Sequence, residues 1–254
     1  MTNKEKLQAH NAELQELIGV AEALPDAGSG DDAVDVIAEI ANRTITELVS
    51  DGVLNIPLYF LQDATLLKKV SLPNCVTAGP RAFENCKNLE SIDMPSLEEI
   101  TGANFANGCT SLLSVSFPKL RKAGLSYQGS TFDDCTSLKI AELPVLEIVE
   151  SSTFSRCSAL EILDFHCVNT ISSSSFYRCS ALQTLIIRSE TVCTLSNTSA
   201  FNGTPIASGT GYVYVHKTLA DGSDGVAAYQ AATNWSTYAA QIRAIEDYPD
   251  ITGG

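Results

Sequence analysis

One thirteen-residue unit, copied down the chain, limits what this sequence can fold into. The clearest copy is Phe83-Glu84-Asn85-Cys86-Lys87-Asn88-Leu89-Glu90-Ser91-Ile92-Asp93-Met94-Pro95. Written generally it is F-x-x-C-x-x-L-x-x-[VIL]-x-[LF]-P, with a further apolar residue two places past the proline. The pattern recurs from Leu61, Ala106, Phe132, Phe154 and Phe176, so the six anchors step by 22, 23, 26, 22 and 22 residues. Self-similarity at a period in the low twenties is the signature of a solenoid.

Within a unit, Ile92 and Met94 stand two apart, so on a strand they share one face. Their equivalents are Val70/Leu72, Val115/Phe117, Ala141/Leu143, Leu163/Phe165 and Leu185/Ile187. No single unit can bury that face. A stack can, at roughly 4.8 Å per parallel strand. Pro73, Pro95, Pro118 and Pro144 follow the strands, and a residue without an N–H can end pairing there. His166 and Arg188 take that place in the last two units. The Cys86 column continues as Cys109, Cys135, Cys157 and Cys179. Its spacing contains no C-x-x-C pair, so it predicts buried free thiols in a tight interior turn rather than metal or redox chemistry.

These residues resemble the BspA-like leucine-rich repeats of bacteria, over roughly Ile45 to Phe201. The resemblance implies a right-handed leucine-rich repeat solenoid, mainly β, with a parallel strand stack and short helical or irregular turns. It also implies surface exposure, adhesion and binding to host proteins. The expected layout is an acidic helical segment and linker (1–30), an N-terminal cap (31–60), the repeats (61–203), and a small α/β C-terminal cap with its tail (204–254).

At the N-terminus, Lys4 to Leu24 reads as a helix ended by Pro25. Its heptad-spaced Leu7, Leu14 and Ala21, with Leu17 and Leu24, predict either a homo-oligomerising coil through residues 4–24 or a helix packed on its own chain. This segment is also similar to N-terminal segments of phage tail-associated proteins. Asp31 to Ala41 reads as a second helix, and with Ile45 to Val49 it is the candidate cap over one open end. Insertions fall near Phe105–Cys109 and in Ala123–Thr131, around Gly124, Tyr127 and Gly129, places where solenoids often carry specificity.

Beyond the repeats, Gly211 to Val215 reads as an edge strand. Gly225 to Ala232 reads as a helix, and a last helical turn runs to Ile245. The stretch from Tyr229 to Ile242 resembles the C-terminal cap of this repeat type. Trp235 is expected to plug the open end of the core, and Asp250 to Gly254 to be disordered.

The net charge of −14 argues against a nucleic-acid partner and against anionic membrane surfaces. No apolar run of eighteen residues occurs, so membrane insertion is not expected. Met1 to Gly30 shows no leader pattern. The chain is therefore expected inside the cell, on a particle, or at the cell surface after leader removal. No cofactor or metal is expected. Asp164, His166 and Cys167 form the one arrangement suggestive of a nucleophile, but on a strand Cys167 points away from His166, so no enzyme activity is expected.

The outward strand face is more informative. Toward the C-terminal half it carries Ile140, Ile162 and Ile186 beside Glu142 and Asp164. Stacked acids repel, a cost a cationic partner would relieve. These five residues are the expected ligand face, for a host or bacterial surface protein or glycan. The alternative is that cap or N-terminal residues cover the isoleucines. Two roles follow: an adhesion-type surface scaffold, or a structural or receptor-binding component of a phage or prophage particle.

Overall fold

Alternate strand residues of every unit do turn inward, and the stack they build has three hydrogen-bonded walls. The computed structural model describes Ile40, residues 42–124 and residues 129–252. The helix over Lys4–Leu24, the joint after it and most of the Asp31–Ala41 helix lie outside the described residues, as does Tyr127 of the long insertion.

Strands alternate along the chain between a front and a rear wall. The front wall takes β1 (Glu47–Val49), β3 (Lys69–Ser71), β5 (Ser91–Asp93), β7 (Ser114–Ser116) and β9 (Ile140–Glu142), in that order and all parallel. The rear wall takes β2 (Asn55–Ile56), β4 (Thr77–Ala78), β6 (Glu99–Ile100), β8 (Lys122–Ala123), β10 (Ile148–Val149), β12 (Thr170–Ile171) and β14 (Thr194–Leu195), also parallel. A second front sheet holds β11 (Ile162–Phe165), β13 (Thr184–Ile187), β15 (Tyr212–Val215) and β16 (Ile242–Ala244). Val70, Leu72, Ile92, Met94, Leu163, Phe165, Leu185 and Ile187 are all buried. Strands that precede a proline stop after three residues. Where His166 and Arg188 replace it, β11 and β13 run one residue longer.

The third wall is the turn that carries the anchors. Backbone bonds link it rung to rung, as in Phe83 N–H to Phe105 O (2.8 Å), Phe132 to Thr153 O (2.8 Å) and Phe154 to Ser175 O (2.8 Å). The residues two before and two after each anchor are left-handed: Arg81 and Asn85, Asn104 and Gly108, Ser130 and Asp134, Ser152 and Arg156. Outside glycine this costs roughly 1–2 kcal/mol per residue, so the ladder must hold the turn in place. The cysteines add to it. Cys86, Cys109, Cys135, Cys157 and Cys179 each donate Sγ–H to the carbonyl of the preceding rung's anchor, namely Leu61, Phe83, Ala106, Phe132 and Phe154, at 2.9–3.2 Å. All eight thiols are free. Burial pushes Cys179 up to about 12 and Cys135 higher still, so the column is chemically quiet.

Phenylalanines run through the core as a second column. Phe132, Phe154, Phe176 and Phe201 stack with centroids 5.7, 6.0 and 5.4 Å apart. The column ends on Trp235, which is fully buried 5.8 Å from Phe201. Trp235 Nε1–H donates to Cys193 O (2.7 Å), Tyr229 Oη accepts from Cys193 N–H (2.9 Å), and Asn234 Nδ2 donates to Leu195 O (2.7 Å). The cap thus satisfies the backbone just before β14 and the Leu195 carbonyl within it, at the edge of the rear wall, which would otherwise be open to another strand.

Three C-terminal expectations need correction. β15 is not an edge strand: β13 pairs on one side and β16 on the other. The stretch after Trp235 is a 3-10 helix (Trp235–Gln241) followed by β16, not helix to Ile245. A parallel partner for β15 requires a crossover, and the helix α1 (Gly225–Ala231) with that 3-10 turn supplies it. Pro249–Thr252 forms a 3-10 turn rather than a disordered tail, because Ile251 has a cluster to pack on.

Two buried acids set a pH dependence. Burial raises the carboxyl pKa of Asp133 and of Glu150 above the ordinary values. Both hold protons in the folded chain at pH values where the unfolded chain has released them. Folding therefore takes up protons, and stability gains as pH falls toward those folded values. Glu246 works the other way. Burial pushes its carboxyl up, but its own N–H, His216 and the Lys217 N–H outweigh that and hold it low, so its contribution is lost only at more acid pH. Thermal melts should rise as pH falls from neutral toward the raised folded values of Asp133 and Glu150, and fall again at more acid pH as Glu246 takes up its proton. Asp133→Asn with Glu150→Gln should flatten the rise, and an unchanged slope would contradict this assignment.

Candidate functional site

The front wall parts at one step, between β9 and β11. At every earlier step the residue before the strand donates across the wall, as in Lys139 N–H to Leu113 O (2.9 Å), and at three of the four the residue after the strand does so too, as in Phe117 N–H to Glu142 O (3.0 Å). The next step lacks its counterparts: no bond runs from Glu161 N–H to Lys139 O or from Leu143 N–H to Asp164 O. The rear wall stays paired there through Ile148↔Thr170 and Val149↔Ile171, and the turn wall stays bonded. The opening is therefore confined to one wall. It coincides with Ala141, the only residue in its inward column smaller than valine and the most exposed of the column at 9%. An alanine offers little packing surface to hold the following strand.

A groove of about 680 Å³ occupies this opening. Ile140 and Ile162 line it at 54% and 50% exposure. Glu142, Glu161, Asp164, Lys139 and His166 surround them. Four of the five residues expected on the ligand face, Ile140, Glu142, Ile162 and Asp164, thus meet in one cleft.

Ile186 does not join them. It is only 1% exposed, covered by Tyr214 and Ile245 with Tyr212 and Ile251 against them. The cap lays β15 and the turns after β16 over the outward face beyond β13, so cap residues cover Ile186 and leave Ile140 and Ile162 half-exposed.

Asp164 needs no outside cation. Arg188 grips it bidentately, Nε to Oδ1 at 2.8 Å and Nη2 to Oδ2 at 2.8 Å, and His166 Nε2 stands 3.7 Å from Oδ1. The expected repulsion is relieved from within, by the residue that replaces the proline in the last unit. Glu142 is different: its exposed carboxylate has no hydrogen-bond or ion-pair partner among the described residues. His166 and Cys167 both lie in an exposed bend after β11, and Asp164 is committed to Arg188.

The sequence reading missed the groove itself and the rear wall. Ala141, alone in a column of valine, isoleucine and leucine, was the signal for the first. The apolar residue five places after each proline (Ala78, Ile100, Ala123, Val149) was the signal for the second.

With this geometry in hand, the comparisons with known proteins are direct. The model of the BspA type leucine-rich repeat region matches residues 42–127 and 125–212, in six copies. A leucine-rich repeat protein from Eubacterium ventriosum has a similar structure, with TM-score 0.53 and 22% identity over 63% of this chain and 43% of that one. A leucine-rich cell surface protein from Faecalibacterium prausnitzii (TM-score 0.39, 18% identity, 65% of this chain and 59% of that) and a leucine-rich repeat protein from Bacteroides ovatus (0.37, 18%, 69% and 56%) are more distant. The chain spans about half the length of these structures. No curated protein matches it. Among the described residues no helix is long and apolar enough to cross a membrane. The repeat, the stack and the match over most of the chain agree: the protein belongs to the BspA-type leucine-rich repeat family.

Proposed function

We propose that the chain is a non-enzymatic, adhesion-type binding scaffold of a bacterial surface, and that it takes a protein or glycan partner in the groove between β9 and β11. The observation that carries this is the parted wall, which puts two half-exposed isoleucines beside unpaired backbone groups and an unpartnered carboxylate. Such a cleft best suits a polypeptide segment with an apolar side chain next to a lysine or arginine. The apolar part covers Ile140 and Ile162, the cation meets Glu142, and the segment's own N–H and C=O groups pair with Lys139 O and Leu143 N–H. The particle-component reading draws on residues 1–30, which lie outside the described residues.

The test is a binding screen against host matrix proteins and bacterial-surface glycans, followed by variants. Ile140→Ser with Ile162→Ser should weaken the partner by about 10–100-fold, since central apolar contacts carry most interface energy. Stability should stay within about 0.5 kcal/mol, because both side chains are exposed. Glu142→Lys should weaken binding further. Unchanged affinity in the double variant would remove the groove as the site.

A further inference from the structure

A second recess lies on the opposite side of the stack, beside β10, β12 and β14. It has a volume of about 470 Å³, within the roughly 300–1,000 Å³ of small-ligand pockets. Its lining is unlike that of the groove. One carboxylate, Glu150, stands among side-chain hydroxyls and an amide, with Ile148 as the apolar surface.

Glu150 is the informative residue. It is 4% exposed, yet no hydrogen bond or ion pair satisfies its carboxylate among the described residues. The cation whose charge reaches it, Lys122, makes its own ion pair with Glu99 at 3.3 Å. Its oxygens still reach the recess, since the one fully buried side-chain oxygen without a partner among the described residues is Asp133 Oδ1, so water meets Glu150 in the free protein and a ligand hydroxyl can take that water's place.

The groups around it retain bonding capacity. Ser172 and Ser196 have hydroxyls with no side-chain partner. Thr170 donates its hydroxyl to Asn169 and keeps its oxygen free to accept. Asn197 uses Oδ1 to accept from Ser199 N–H at 2.8 Å, which leaves its Nδ2 donors open.

Charge then selects among ligands. An anion would face Glu150 directly. A divalent cation asks for more carboxylates than one, and no group of metal-binding side chains occurs among the described residues. A neutral polyol fits, because each of its hydroxyls both donates and accepts. Its donors can satisfy Glu150 and Thr170, and its oxygens can accept from Ser172, Ser196 and Asn197, with a ring C–H face on Ile148.

We infer that this recess is a sugar-binding pocket, taking one neutral pyranose ring with Glu150 as the central acceptor. It is independent of the groove on the front wall.

Saturation-transfer NMR with the full chain tests it, using methyl pyranosides of glucose, galactose, mannose and N-acetylglucosamine, with tetramethylammonium and inorganic phosphate as charged controls. At least one pyranoside should bind, and Glu150→Ala should lower its affinity at least tenfold. Should Glu150→Ala fail to fold, Ser172→Ala with Asn197→Ala provides the same readout at exposed or half-buried positions. Ile162→Ser in the groove should leave sugar binding intact. No pyranoside binding at millimolar concentration, binding of only a charged control, or sugar binding that survives these pocket variants would overturn the assignment.

Discussion

Substituting Phe154 with alanine is expected to lower the unfolding free energy by about 3–5 kcal/mol. The ring is fully buried in mid-stack, 5.7 Å from Phe132, 6.0 Å from Phe176 and 6.5 Å from Phe165. Its loss opens a cavity that touches two rung interfaces at once, and the left-handed turns on either side, at Ser152 and Arg156, prevent the backbone from collapsing into it. In a solenoid each rung is held mainly by its neighbours, so weakening one internal rung also weakens cooperativity. Urea titration should show a lower midpoint and a shallower slope. A loss under about 1 kcal/mol would mean that the column is not what couples the rungs.

The second large effect is at the C-terminal end. Trp235→Ala removes the plug on the aromatic column and the Nε1–H donor to Cys193 O. We expect a cost of about 3–5 kcal/mol from the cavity, with about 1 kcal/mol more from the unpaired carbonyl. Trp235→Phe should keep much of the volume and lose mainly the hydrogen bond, so it should cost less. The position differs from Phe154 in an instructive way. Trp235 contacts only the last rung and the cap, so its loss should loosen β13 to β16 first and leave β3 to β7 protected. Native-state hydrogen exchange reads this directly. Uniform loosening along the whole stack would contradict a plug role confined to the end.

How far these features can be seen in the bare sequence follows from their physical range. The front wall was legible because Ile92 and Met94, and their five equivalent pairs, repeat at a strand's period of two. The cysteine turn was legible because the column recurs once per rung. That each thiol bonds the anchor carbonyl one rung earlier was not, because it depends on rung-to-rung offset rather than on spacing within a rung. Arg188 was seen as a missing proline but not as the partner of Asp164, since the pair is 24 residues apart and meets only across adjacent strands. Ile186 was misplaced for a similar reason: its cover comes from Tyr214 and Ile245, and β15 was taken for an edge.

The parting of the wall at Ala141 is the observation on which the functional reading stands, and amide hydrogen exchange measures it most directly. In the free protein, the amides of Leu143 and Glu161 should exchange far faster than those of Phe117, Lys139 and Gln183, which are bonded across the same wall, and a bound partner should slow them. Equal protection of all five amides in the free protein would mean that the wall is closed and that there is no groove to fill.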